Sequence, residues 1–253
     1  MLQTRQLDIR VGERMLCRSL DLQVQAGESW LILGENGCGK STLLATLAGW
    51  RQPAGGEILL QGQALAGWPA RRRARTIAWM TQQDDCPFPL TVMEKTLTGC
   101  HPRLGRWQWE SADDLALAQQ QLQRLDLAGL AERDLATLSG GERRRASLAT
   151  ALLQQAELLL LDEPLSQLDL RHQQQALGVL REEQAQGRTI MLVGHDPNHA
   201  RQFASHVLLL HGDGRWQAGP TTGVLTADNL SALYHHPIRT LADTGGQPWF
   251  VPA

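Results

Sequence analysis

The stretch WLILGENGCGKST, residues 30–42, constrains this chain more than any other. A nearly continuous apolar run is the pattern of a strand covered on both faces. It gives way to a loop with three glycines, a lysine and two hydroxyls. The segment STLLATLAGW follows at helical spacing and stops near Gly49. Gly34, Gly39, Lys40 and Ser41 fit G-x-x-x-x-G-K-[ST], in the strand–loop–helix context that this motif requires. The glycines let successive backbone N–H groups turn inward and cradle a phosphate chain, and the helix adds its N-terminal dipole. Lys40 is expected to reach the outer phosphates as a point charge, and the Ser41 hydroxyl to ligate Mg2+.

The rest of the chain alternates strands with helices. LQTRQLDIRVG and SLDLQVQAG alternate apolar and polar residues and read as antiparallel strands with one solvated face. GGEILLQGQAL reads as a short strand; RTIAWMTQ (75–82), AELLLLDEP (156–164) and RTIMLVGHD (188–196) read as buried ones. Residues 83–88 look like a loop, and residues 92–136 are mostly helical. HVLLLHGDGRWQAG (206–219) reads as a hairpin turning at Asp213-Gly214, and TADNLSALYHH as a short helix capped by Thr226. The pattern predicts an α/β fold: a mainly parallel core sheet, an N-terminal antiparallel β subdomain and a helical subdomain over about 88–150. One domain is expected over 1–241, with a loosely ordered, Gly- and Pro-containing tail over 242–253.

Bulk properties narrow the function classes. Lys plus Arg is 24 against 26 Asp plus Glu, so no basic excess points to nucleic acid as a partner. No apolar run approaches the ~18 to 20 residues that span a bilayer, and the N-terminus lacks a signal-peptide core, so a cytosolic protein is expected. Cys17, Cys38, Cys86 and Cys100 are widely spaced, which argues against a zinc site or a disulfide frame. A phosphate cradle alone hydrolyses nothing; it needs an acidic partner for Mg2+ and a group to activate water. LLLLDEP supplies both at the end of a buried strand: Asp162 to hold Mg2+ and Glu163 to orient or deprotonate the attacking water. The plainer reading of the same residues is an acidic turn after a core strand.

Between these two motifs lies LSGGE (138–142), and after them SQLD (166–169) and His195 behind the apolar run IMLV. Gln82 ends the strand at 75–82. In this order the motifs resemble those of the ATP-binding-cassette ATPases, over nearly the whole chain. The resemblance implies a P-loop NTPase core and two cassettes packed head to tail around two ATP molecules. Each ATP is then held by Gly34, Glu35, Asn36, Gly37, Cys38, Gly39, Lys40, Ser41 and Thr42 of one subunit, and by Ser139, Gly140 and Gly141 of the other. It further implies Mg2+ at Ser41, Gln82 and Asp162, Asp169 at the subunit contact, and His195 holding the water against Glu163. The family usually stacks adenine on an aromatic residue before a glycine; here Val11 precedes Gly12, which leaves aliphatic surface or the Arg10 guanidinium. If Cys38 is exposed when nucleotide is absent, it should react with thiol reagents.

FPLTVMEKTLTGCHPRLGRW (88–107) and LSALYHHPIRTL (230–241) resemble the cassettes that serve importers of ferric siderophores, haem and cobalamin. That resemblance implies a separate transmembrane permease, indirectly a periplasmic binding protein, and a place at the cytoplasmic face of the membrane. The segment between Gln82 and Ser139 would meet a short permease helix, with Trp107 or Trp109 near the contact. Arg71, Arg72, Arg73 and Arg75 read as a solvated helix face or a contact with acidic headgroups or the partner. Of Arg143, Arg144 and Arg145, at least one is expected to face nucleotide or the partner subunit. The alternative function is a cassette without a channel, such as an iron–sulfur assembly scaffold component.

Overall fold

The computed structural model describes residues 1–82, 88–242 and 248–253. The loop expected at 83–88 lies outside the described residues except for Phe88, as do Cys86 and residues 243–247 of the tail. The chain divides into two compact units, Met1–Gly67 with Met191–Ala253, and Trp68–Ile190. The sequence places a helical subdomain at about 88–150; the second unit also takes in a helix and a strand before it and a strand and a helix after it.

The first unit opens with β1 (Leu2–Val11), β2 (Arg14–Leu20) and the two-residue β3 (Gln23–Val24). β2 therefore starts before the expected SLDLQVQAG and breaks at Asp21. The reason is local: Asp21 Oδ1 accepts the Gln6 N–H and Asp8 Oδ1 accepts the Ser19 N–H, both at 2.7 Å. Carboxylates replace ladder bonds where the β1–β2 register shifts, and Gln6 and Ser19 there take positive φ (46° and 49°). The buried β4 (Ser29–Leu33) leads into α1 (Lys40–Leu47); β5 (Gly55–Leu60) and β6 (Gln63–Ala64) follow. Strands β2, β1, β5 and β6 form one antiparallel sheet, with β3 paired to β1.

The second unit runs through α2 (Ala70–Thr76), β7 (Ile77–Met80), α3 (Val92–Leu97), α4 (Ala112–Arg124), α5 (Gly140–Leu153), β8 (Leu158–Asp162) and α6 (Leu170–Ala185). β7 is shorter than the expected 75–82, because Arg75 and Thr76 complete α2. β7 and β8 pair in parallel, and every residue of β8 is buried. α4 is tied to α6 by a buried ion network: Glu183, 2% exposed, accepts from Arg124 at 2.5 Å and forms an ion pair with Arg188 at 2.7 Å. The arginine run at 71–75 holds the loop after α3. Arg71 and Arg75 donate to the Pro102 carbonyl, Arg75 also to that of Arg103, and Arg72 stacks 4.1 Å from the Trp68 ring.

β9 (Thr189–Val193) returns the chain to the first unit. There follow α7 (Pro197–Phe203), β10 (His206–Leu210), β11 (Trp216–Pro220), α8 (Thr221–Val224), α9 (Ala227–Tyr234), β12 (Ile238–Ala242) and β13 (Pro248–Pro252). β10 lies parallel to β4 and forms the expected hairpin with β11. Thr226 caps α9 by accepting the Asn229 N–H. The tail is not loose where it is described: β13 pairs with β12, and Phe250 is buried. Asn198 on α7 fixes it, accepting the Phe250 N–H at 2.9 Å and donating to its carbonyl at 3.1 Å. Among the described residues no helix is long and apolar enough to cross a membrane.

Candidate functional site

In the first unit, β4 ends at Leu33 and α1 begins at Lys40, so residues 34–39 form the turn between them. Two glycines are demanded by space. A Cβ on Gly34 would collide with the Leu210 carbonyl and the Cys38 sulfur, and one on Gly39 would come within 2.8 Å of Leu16. Gly39 also sits at φ 107°, where only glycine is unstrained. As the N-cap it has no side chain to occupy the first N–H groups of α1, and no acidic residue lies in that helix's first turn. Those donors are left for an anion. Lys40 is buried and curls back over the loop, with Nζ donating to the carbonyls of Gly34 (2.8 Å) and Glu35 (2.9 Å).

Cys38 departs from expectation. Its side chain is only 2% exposed, and burial pushes its thiol pKa up against the lowering charges of Lys40 and Arg14. His195 is exposed just beyond β9, and its carbonyl accepts from the Tyr234 hydroxyl at 3.4 Å. Burial, with Cys38, Asp196 and Glu35 nearby, drives the Tyr234 pKa well above its ordinary range. Tyr234 thus joins α9 to His195 and lies near the 34–39 loop, a placement that its position in LSALYHH does not reveal. Val11 is 44% exposed. The Arg10 carbonyl accepts from Arg51, while the charged side chain set beside the loop is that of Arg14, whose Nε donates to Gly212 O at 3.2 Å.

In the second unit, β8 delivers Asp162 buried at its end, and Glu163 follows with φ 53°. A non-glycine residue in that region is strained and needs its surroundings to hold it. The Glu163 carbonyl accepts from Arg144 Nε (2.9 Å), Ser166 Oγ (2.9 Å) and Ser166 N (3.1 Å). Gln82 is exposed after β7, and its carbonyl accepts from Arg144 Nη1 at 2.9 Å.

Ser139 begins α5 through a reciprocal cap: Oγ accepts the Glu142 N–H, and Glu142 Oε2 accepts the Ser139 N–H at 2.7 Å. Those bonds hold the Glu142 carboxyl below its ordinary pKa. Gly140 and Gly141 lie against Gln167; a Cβ on Gly141 would come within 2.8 Å of the Gln167 carbonyl, and one on Gly140 would overlap its side chain. A concavity of about 480 Å³ lies between Ser139–Glu142 and Gln167–Asp169. Asp169 caps α6, accepting from His172 N at 2.9 Å and Nδ1 at 2.8 Å. The backbone bond is the larger cause of its lowered pKa. His172 Nε2 in turn lies 3.5 Å from Asp126.

Of the arginines at 143–145, Arg143 is exposed and Arg145 lines the concavity beside Ser139. Arg144 and Arg145 are buried, and all three donate to main-chain carbonyls of the same unit: Arg143 to Leu138, Arg144 to Thr81, Gln82 and Glu163, Arg145 to Leu125 and Asp126. Trp107 and Trp109 are almost fully exposed, at 87% and 86%.

The family model described as ABC transporter matches residues 17–166. The chain is 34% identical to the siderophore transport system ATP-binding protein YusV of Bacillus subtilis, covering 98% of this chain and 91% of that protein. It is 37% identical to the hemin import ATP-binding protein HmuV of Streptomyces coelicolor, covering 92% and 82%. Among solved structures it resembles a metal-chelate type ABC transporter in an inward-facing conformation, with a TM-score of 0.84 and 30% identity over 100% of this chain and 96% of that one.

Proposed function

The chain belongs to the ABC transporter family of ATPases, and we propose that it is the ATP-hydrolysing subunit of an importer for a metal chelate, driving transport through a separate membrane permease. One observation carries this reading: its likeness to siderophore and hemin import ATP-binding proteins extends over more than nine-tenths of its length. The cargo class is ferric siderophore, haem or cobalamin. The protein works at the cytoplasmic face of the membrane, as an ATP-bound homodimer on the permease, with a periplasmic binding protein presenting the chelate from the other side.

Each residue is assigned a role that its chemistry allows. Gly34 to Thr42 bind the phosphates through backbone N–H groups and the Lys40 charge. Ser139, Gly140 and Gly141 offer a hydroxyl and backbone N–H groups to the γ-phosphate of an ATP on the partner subunit. Glu163 orients the attacking water and His195 supports it. Asp169 lies at the dimer contact. Ser41, Asp162 and Gln82 carry the hard oxygen donors that suit Mg2+, which when bound neutralises phosphate charge.

The test is an affinity pull-down of Glu163→Gln with ATP and Mg2+ from detergent-solubilised native membranes. A polytopic permease among the partners is the expected result. Recovery of soluble partners alone would refute transport and move the iron–sulfur scaffold reading to first place.

A further inference from the structure

Arg144 is the fifth residue of α5, 6% exposed, between two arginines committed elsewhere. Its Nη1 donates to the carbonyls of Thr81 (2.7 Å) and Gln82 (2.9 Å), and its Nε to that of Glu163 (2.9 Å). Those carbonyls lie just past the ends of β7 and β8, paired in parallel with Met80 opposite Leu161. One planar guanidinium therefore binds both strand exits to the helix that Ser139 begins.

This arrangement uses properties peculiar to arginine. Five donors in a fixed fork reach several carbonyls at once, and a buried guanidinium is tolerated only when hydrogen bonds satisfy it. Glu163 has a left-handed backbone at φ 53°. The Ser166 donors to its carbonyl come from the same turn and close that turn on itself. The Arg144 bond comes from a different element and anchors the turn to the rest of the unit. Arg143 and Arg145 cannot substitute, since their guanidinium groups serve Leu138 and the Leu125–Asp126 corner.

We propose that Arg144 is a positioning residue for hydrolysis: it fixes Glu163 and Gln82 jointly to the signature helix, so that the water-orienting carboxylate is aligned only when that helix is in place. The inference rests on the assignment of Glu163 to the attacking water. Arg144 touches neither water nor phosphate in this role and acts through the backbone of the two residues it holds.

The experiment is steady-state and single-turnover ATPase of the purified full chain. It compares Arg144→Gln, Arg144→Lys, Glu163→Gln and the Glu163→Gln/Arg144→Gln double variant, with ATP affinity measured separately by equilibrium binding. Arg144→Gln should lower kcat by roughly 10- to 100-fold, the scale of a misplaced catalytic group, with ATP affinity within about twofold. Arg144→Lys should recover part of the rate, because an ammonium still reaches one carbonyl. The double variant should be no slower than Glu163→Gln, since Arg144 acts through that residue.

Wild-type kcat in Arg144→Gln, a loss confined to ATP affinity, or additive losses in the double variant overturns the proposal. If Arg144→Gln does not fold, the kcat-against-affinity split in Arg144→Lys makes the same decision. Normal turnover in Glu163→Gln would remove the assignment of Glu163 and this proposal with it. An inactive Glu163→Gln beside a fully active Arg144→Gln sinks the role of Arg144 alone.

Discussion

Cys38 should resist alkylation in the folded chain even with no nucleotide bound. The sequence places it in a phosphate loop, where a thiol beside a lysine would ordinarily be reactive. The fold turns its sulfur inward, to the spot a Gly34 Cβ would need, and a Cβ at Gly212 would come within 2.9 Å of its Cα. The attacking species is the thiolate, so two factors slow the reaction: access and ionisation. Lys40 and Arg14 favour the thiolate, but burial is the larger influence and disfavours it.

Two other thiols are shifted the same way. Burial, with Asp114 adding to it, raises Cys100 from 9.0 to about 11, and burial, with Asp8 adding to it, raises Cys17 to about 12. At pH 8 a thiol of pKa 9 is about 10% ionised, one at 11 about 0.1% and one at 12 about 0.01%, so ionisation alone slows these two by roughly 100- and 1000-fold. The assay is maleimide labelling of a Cys86→Ser chain at pH 8, read by peptide mass spectrometry in buffer and in urea. All three cysteines should label rapidly in urea. In buffer Cys100 and Cys17 should lag their urea rates by at least about 100- and 1000-fold, and Cys38 should also label more slowly than in urea, with ATP changing that little. Labelling of Cys38 at its urea rate, while circular dichroism remains native, would refute the argument that the loop buries its sulfur.

Four further outcomes are expected. Glu183→Ala strands Arg124 and Arg188 in a desolvated site and should cost about 3–5 kcal/mol in urea unfolding, whereas Glu182→Ala at the exposed edge should cost less than about 1 kcal/mol; equal costs would show that the network is not desolvated. Asn198→Ala leaves buried backbone groups of Phe250 without partners, about 1–3 kcal/mol, and amide exchange at Phe250 should accelerate without a matching drop in global stability; unchanged exchange contradicts the anchoring role.

The folded-state pKa of Asp169 is depressed, so its contribution to stability is present above the unfolded pKa and fades as pH falls through the folded one. His172→Ala keeps the larger backbone bond and removes the imidazole. A carboxyl NMR titration should therefore show Asp169 moving part of the way up, and an unmoved midpoint would remove the side-chain contact from the account. Glu163→Gln should bind ATP, lose nearly all turnover and accumulate as a dimer in light scattering; a monomer at saturating ATP counts against the sandwich.

What could be read in the sequence was local. The Gly34–Thr42 turn, the LLLLD strand, the hairpin at Asp213-Gly214 and the Thr226 cap each write their geometry into a few adjacent residues, because backbone conformation and capping are short-range. The misread features depend on partners distant in the chain. Pro and Gly made residues 242–253 look loose, yet β13 exists because β12 and Asn198 complete its hydrogen bonds.

The sequence left the exposure of Cys38 open, because its polar loop does not show that Gly212, more than 170 residues away, packs against it. The arginines at 143–145 show the limit most clearly. The sequence alone has this triple arginine send at least one side chain toward nucleotide or the partner subunit. What sets its fate is whether carbonyls lie within reach, and strand ends and helix corners are where unpaired carbonyls collect. β7 and β8 end beside α5, so the guanidinium of Arg144 finds Thr81, Gln82 and Glu163. A residue that the sequence leaves open to nucleotide or a partner thereby becomes the internal brace of Glu163.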